Sequence, residues 1–422
     1  MSAQHSERGP GLCLCRPAEY DGQVGHELSP GRIWNFVRFR MARSGFRTRV
    51  VAALCFLAVA VLTCRAGSEP IDWQRAQDLY QREQRRETLT DEEKAYLEQA
   101  KQLRRAQAQA TKPPPAWETT GLVPLTEMGE GLYKEQTGGL YGRGRNVPPE
   151  SHLTAAQEQT ALIQPLDAEG NPSDAGQIVL ISLGMSNTTQ EFSVFKKLAD
   201  ADPNKSPHLV IVDCAQGGQA AHEWAYPVSG GRQNRPSPWD VMDQRIRLAG
   251  VTAAQVQVVW IKQAQITPAH LGEFPAHAES LRNDIAEILH RLTARFPNLR
   301  LAYLSSRIYA GYATTGLNPE PYAYESAFSV RWLIESQIAN DPNLNYDPAQ
   351  GEVKAPLLLW GPYLWADGIK PRQSDGLVWT REDLGPDGTH PSTSGRQKVA
   401  DMLLTFLKTD PNARQWFLKP QP

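Results

Sequence analysis

The stretch GQIVLISLGMSNTT, Gly176 to Thr189, breaks with everything that precedes it. Residues 178–183 form a continuous apolar run interrupted by one serine, the pattern of a strand buried on both faces. The run ends in Gly184-Met-Ser-Asn-Thr188, and residues 190–199 then read as a helix. Similar apolar runs recur at 209–212, 256–261, 299–304 and 356–360. Between and after them, residues 239–249, 276–296, 322–339 and 394–407 read as helices. In the last of these Val399, Met402, Leu403 and Phe406 share one face. Strands alternating with helices predict an α/β fold whose parallel sheet of about five strands is covered on both sides.

Upstream the chain is of a different kind. Trp73, Ala76, Leu79 and Tyr80 share helical spacing, and Thr90-Asp-Glu-Glu93 is a capping box opening a second helix with Tyr96, Leu97 and Ala100. An N-terminal helical hairpin is therefore expected within 67–110. Thr111-Lys-Pro-Pro-Pro115 reads as a stiff linker, and residues up to 175, rich in Gly, Pro and polar side chains, as a wrapping loop. Gly138-Gly-Leu-Tyr-Gly-Arg-Gly-Arg145 lacks the Lys-Ser/Thr ending and the preceding strand of a phosphate-binding loop.

Earlier still, residues 41–49 are basic, residues 50–63 carry no charge and are largely apolar, and small residues follow at Ala66 and Gly67. That order predicts a secretory signal peptide over 41–66, cleaved after Ala66, with residues 1–40 an over-extended start. The expectation is a periplasmic or extracellular protein with no stable membrane span once the signal is removed. A poorer reading takes Val61-Leu-Thr-Cys64 as a lipid-attachment box, which would anchor the chain at Cys64. The catalytic-type domain is then expected over 176–410, with a short tail over 411–422.

Charge and cysteine content narrow the function classes. The 422 residues carry a formal net charge of -2, and beyond residue 66 there are 35 basic against 42 acidic side chains. A mildly acidic chain gives no reason to expect nucleic acid as a partner. Cys13, Cys15, Cys55 and Cys64 fall in the segment expected to be lost, leaving Cys214 alone. One cysteine makes neither a disulfide framework nor a cysteine zinc site, and a small buried thiol is expected.

In a parallel sheet, ligands bind outside the carboxyl ends of the strands. Ser186 stands at the first such end, where a following helix offers backbone N–H groups to a developing oxyanion. Taken alone, that serine is equally at home as a helix cap. The second strand ends in Asp213-Cys-Ala-Gln-Gly-Gly-Gln219, whose paired glycines let a backbone N–H approach a ligand closely. The third ends in Lys262-Gln-Ala-Gln265, which brings amide side chains to the same edge. Before the last helix, Asp387-Gly-Thr-His390 places a carboxylate three residues ahead of a histidine, close enough to fix its tautomer.

At these residues, over about 176–407, the chain resembles the SGNH/GDSL hydrolase superfamily. The resemblance implies a flavodoxin-like three-layer α/β/α fold and ester hydrolysis by a Ser-His-Asp mechanism, with no metal and no cofactor. It matches Ser186 to the nucleophile and Asp387 and His390 to the acid and base. It assigns the oxyanion hole to the N–H groups of Ser186 and Gly218, with Gly217 next in line for the second. Two departures stand out: Met185 replaces the usual aspartate before the serine, and Gln263 or Gln265 must replace the usual asparagine of the third block. An α/β-hydrolase elbow fits less well, because Thr188 stands where its second glycine belongs.

The expected substrate is a small-molecule or polysaccharide ester, with acetyl groups on a carbohydrate or glycoconjugate preferred. Trp224, Tyr226, Tyr309, Tyr312, Tyr363 and Trp365 lie near strand ends, where aromatics stack on sugar rings or hold loops down. Arg307, after the fourth strand, is of the type that meets a carboxylate-bearing substrate, though a structural ion pair is its commoner role. A non-catalytic carbohydrate-binding or surface-interaction protein on the same scaffold is the rival expectation.

Overall fold

Each strand of the sheet forms where the sequence offers side chains that can be buried on both faces. The computed structural model describes residues 71–84, 87–110, 117–228 and 236–419. The expected start over 1–40, the signal segment over 41–66, the four N-terminal cysteines and the 111–115 linker lie outside the described residues.

In chain order the elements are helices α1 (Trp73–Gln84) and α2 (Asp91–Ala110), a ribbon of β1 (Leu132–Tyr133) and β2 (Gln136–Thr137), and helix α3 (Glu150–Ala161). Then come β3 (Ile178–Gly184), α4 (Ser186–Ala201), β4 (Leu209–Val212), α5 (Ala221–Ala225), α6 (Pro238–Leu248), β5 (Val256–Lys262) and α7 (Ala276–Arg295). The chain closes with β6 (Leu301–Leu304), α8 (Tyr322–Ile338), β7 (Leu357–Trp360), α9 (Thr393–Thr409) and α10 (Ala413–Phe417).

The five strands β3 to β7 pair in the order β4-β3-β5-β6-β7, all parallel. Every residue of β3, β5, β6 and β7 is buried. Helix α4 packs against α9, while α7 packs against α5 and α8, giving the expected α/β/α layers. Phe192 of α4 stacks on Trp260 of β5 with ring centroids 5.7 Å apart, and both are fully buried. The chain leaves β3 for β4 on one side and returns to β5 on the other. The strand order therefore reverses beside the carboxyl end of β3, where such folds open a ligand crevice.

The hairpin forms with its predicted capping box. Thr90 N–H donates to Glu93 Oε2 at 2.8 Å and Glu93 N–H donates to Thr90 Oγ1 at 3.2 Å. Leu79, Leu89 and Leu97 make it a small core of its own, and Arg82 pairs with Glu93 at 2.6 Å.

Elsewhere the wrapping loop is more regular than its sequence implies. Helix α3 buries His152, Ala155, Ala156 and Thr160, residues too small or too polar to print an apolar stripe. The β1–β2 ribbon turns through Lys134 and Glu135, both at positive φ, without the Asn-Gly or Asp-Gly that announces such a turn. Cys214 is buried, as expected of a small thiol closing an apolar strand. Among the described residues no helix is long and apolar enough to cross a membrane.

Candidate active site

Helix α4 starts at Ser186 itself, four residues before the sequence pattern becomes helical. Met185 occupies the N-cap position and makes no side-chain capping bond. The Ser186 hydroxyl is therefore not a cap. Its Oγ lies 2.7 Å from His390 Nε2, 204 residues further along the chain. On the other side of the ring, His390 Nδ1 lies 2.5 Å from Asp387 Oδ2. Nδ1–H donates to the carboxylate, which leaves Nε2 as acceptor for the serine proton.

The turn bearing Asp387 and His390 is held in several ways. Asp387 Oδ1 accepts from the N–H groups of Thr389 and His390 at 3.1 and 3.0 Å. Gly388 takes φ +65°, and a Cβ there would run into Tyr312 O, so only glycine fits between the acid and the base. Gly385 N–H donates to His390 O at 2.7 Å and closes the loop. Asn187, directly after the serine, donates to Thr389 O at 2.9 Å and ties the two halves of the site together. Burial pushes the Asp387 carboxyl up, but its bonds to His390 and to the two backbone N–H groups outweigh that and hold it at about 2. The group is thus a carboxylate at neutral pH. Helix capping falls to Ser392, whose Oγ accepts from Gly395 N–H.

The second strand end is fixed against the first. Gln216 N–H donates to Gly184 O at 2.9 Å, and Asp213 accepts from Ser182, Thr189 and Ser193. Gly218 is exposed at φ +75°, whereas Gly217 is buried. A Cβ on Gly217 would strike Tyr80 Oη of α1, so the hairpin reaches the glycine turn of the site. Among the described residues, neither Ser186 N–H nor Gly218 N–H donates a hydrogen bond. Both are free to meet an oxyanion.

The two glutamines part company. Gln265 commits its Nε2 to Asp284 Oδ2 at 2.5 Å. Gln263 accepts from Ala264 N–H through Oε1 at 3.2 Å, while its Nε2 is buried with no hydrogen-bond partner among the described residues. An unmet buried donor costs about 1–3 kcal/mol.

Between helix α4 and strand β5, Lys262 and Glu191 form an ion pair with side chains 1% and 0% exposed. Burial pushes Glu191 up and pulls Lys262 down to about 8, against the attraction of each for the other. The pair joins the nucleophile's helix to the strand that precedes Gln263. Thr188 adds a second tie, donating to Lys262 O at 2.7 Å. Nothing in the sequence marked Glu191 or Asn187 beyond a polar residue close to Ser186, or Lys262 beyond its place at the end of the third strand.

Five of the six aromatics proposed for sugar stacking are core residues. Trp224, Tyr309, Tyr312, Tyr363 and Trp365 are 5% exposed or less, and only Tyr226 is exposed. Their rings fill the space under the loops rather than line a platform. Arg307 also departs from expectation, for no carboxylate comes within ion-pairing distance of its guanidinium among the described residues. Next to the serine, Met185, Ala220 and Ala264 form a small buried apolar cluster of their own, flanked by Ile266 and Leu317.

No family model matches the chain, and no curated protein matches it in sequence. Among solved structures, the chain is similar to a candidate acylhydrolase from Bacteroides fragilis at 13% identity. That match covers 61% of this chain and 96% of the other, with a TM-score of 0.32. It is similar to YxiM from Bacillus subtilis at 10% identity over 56% of this chain and 57% of the other, with a TM-score of 0.28. An extracellular lipase from Streptomyces rimosus shares 12% identity over 53% of this chain and 99% of the other, with a TM-score of 0.23.

Proposed function

We propose that the chain is a serine ester hydrolase of the SGNH/GDSL type, with Ser186 as nucleophile, His390 as base and Asp387 as its orienting acid. One observation carries this reading: the continuous contact from Ser186 Oγ to His390 Nε2 and from Nδ1 to Asp387, made between the turn after β3 and the turn before α9. The serine proton passes to Nε2 as Oγ attacks the ester carbonyl. Asp387 stabilises the imidazolium that results. The carbonyl oxygen, now carrying the charge, is received by Ser186 N–H, Gly218 N–H and the Nε2 of Gln263. His390 returns the proton to the leaving alcohol, and water then releases the acyl group by the same path.

The small buried cluster of Met185, Ala220 and Ala264, which begins at the residue before the serine, supports a short acyl group. Acetyl esters on a carbohydrate or glycoconjugate remain the preferred substrate within this reading, and the 41–66 pattern supports export.

The test is hydrolysis of p-nitrophenyl acetate by the purified chain, with Ser186→Ala as comparison and a fluorophosphonate probe as direct label. The expected outcome is measurable turnover, at least about 1000-fold slower in the variant, and labelling at Ser186 alone. Absence of both turnover and label in the wild type would favour a non-catalytic binding protein on this scaffold.

A further inference from the structure

Arg307 opens the loop that follows β6 at the carboxyl edge of the sheet, and it is 4% exposed. Its main chain is fixed, with N–H donating to Ser326 Oγ at 3.2 Å. The guanidinium Nε and Nη2 are fully enclosed and donate to nothing among the described residues. Nη1 has no partner among the described residues either, yet it is not fully enclosed. A buried guanidinium with no bond is rare, because an unpaired charge is strongly disfavoured away from water.

The carboxylates that act on Arg307 from nearby are Glu191, Glu320 and Asp387. Each has a partner elsewhere, and only Glu191 keeps one oxygen, Oε1, buried and unmet among the described residues. Glu191 pairs with Lys262, itself a second positive charge close by, and Asp387 holds His390. Glu320 accepts from Ala310 N–H, Trp365 Nε1–H and Tyr324 N–H at 2.9, 2.8 and 3.0 Å. The positive charge on Arg307 thus has no dedicated counter-ion. The loop it begins runs on to Thr314, whose N–H and hydroxyl both donate to Asp387 O, at 2.9 and 3.2 Å. Arg307 therefore sits at the root of the segment that closes on the acid–base turn.

We propose that Arg307 recognises a carboxylate on the substrate beside the scissile ester, so that the natural substrate is an ester of an acidic sugar or similar carboxylate-bearing alcohol. This rests on the ester hydrolase reading and narrows its substrate class. One accessible guanidinium nitrogen suffices for a charge-assisted hydrogen bond to a carboxylate oxygen, and the ligand supplies the counter-ion that the fold leaves out.

The experiment compares acetate release from four acetylated sugars, namely glucuronic acid, its uncharged amide, glucose and glucose 6-sulfate, with p-nitrophenyl acetate as a neutral reference. For the wild type, kcat/KM on the acid should exceed that on the amide by on the order of 10-fold or more. In Arg307→Met the loss on the acid should exceed the loss on p-nitrophenyl acetate by a similar factor, with Arg307→Lys between the two. Equal rates on acid and amide, or an equal loss on every ester in Arg307→Met, would overturn the proposal and leave ester hydrolysis standing. Preference for the sulfated sugar would overturn carboxylate as the ligand. Failure of the wild type on all five esters would overturn the hydrolase reading and this proposal together. If Arg307→Met does not fold, the wild-type ratio of acid to amide and competitive inhibition by free glucuronate but not glucose decide the question.

Discussion

At Gln263 the proposed oxyanion cradle carries an amide one methylene longer than the asparagine expected there. The longer arm bends so that its oxygen takes up Ala264 N–H, and its nitrogen is left enclosed and unmet. Buried donors without partners are rare in folded proteins and concentrate where function needs them. Gln265, by contrast, is satisfied by Asp284. The two residues should therefore behave differently on substitution. Gln263→Ala should lower kcat on acetyl esters by about 100- to 1000-fold, the cost of one oxyanion donor. Gln265→Ala should lower kcat by less than about 10-fold and register instead in the melting temperature, since it strips a partner from buried Asp284. Steady-state kinetics beside thermal melts of both variants check this, and the reverse ranking would move the donor to Gln265. The sequence placed both amides at the right edge but left the choice open, because it turns on which side chain finds a competing partner across the fold.

At the scale of elements, the site is a matter of how α4 is fastened to β5. Ser186 begins the helix and Glu191 lies just over one turn further on, where it meets Lys262 at the last position of the strand. Both charges are fully buried, so their attraction offsets a large loss of hydration instead of adding surplus stability. Removing one partner strands the other. Lys262→Met should cost about 3–5 kcal/mol in chemical denaturation, whereas Lys262→Met combined with Glu191→Leu should recover most of that loss. The double variant should still show reduced kcat, because the apolar pair no longer fixes the helix start against Gln263. If the single and double variants lose the same stability, the pair is not the fastening. The strands and helices themselves were legible because apolar runs and 3.6-residue stripes are local signals. The capping box at Thr90 was legible for the same reason. Helix α3 was not, since its buried face is built from alanines, a histidine and a threonine that leave no stripe. The Glu191–Lys262 pair was equally hidden, being a contact across 71 residues.

Over the whole molecule, the order of strand ends carried the site's outline. What it left out was how parts distant in sequence close around that site. Tyr80 of the hairpin meets Gly217, and Trp365 fills the space beneath the loops where a sugar platform had been expected. Aromatic residues near strand ends read alike whether they face a ligand or the core, and only packing decides between them. Trp365 also donates to Glu320, a carboxyl buried among these rings and held by three N–H groups. Burial pushes Glu320 up to about 7, and the bonds from Trp365, Ala310 and Tyr324 only partly offset that push. In the unfolded chain the same group titrates near about 4.3. Between these values the folded state binds the proton and the unfolded state does not, so stability falls as pH rises through that window and the loss is complete above about 7. The shift corresponds to roughly 3 kcal/mol. Glu320→Gln cannot titrate, and it lowers stability by a constant amount through the contacts it disturbs. The difference in melting temperature between variant and wild type should therefore move in the variant's favour by several degrees from pH 5 to pH 7.5. A difference that stays flat across that range would mean that Glu320 keeps an ordinary pKa in the fold, and that its three donors fully compensate its burial.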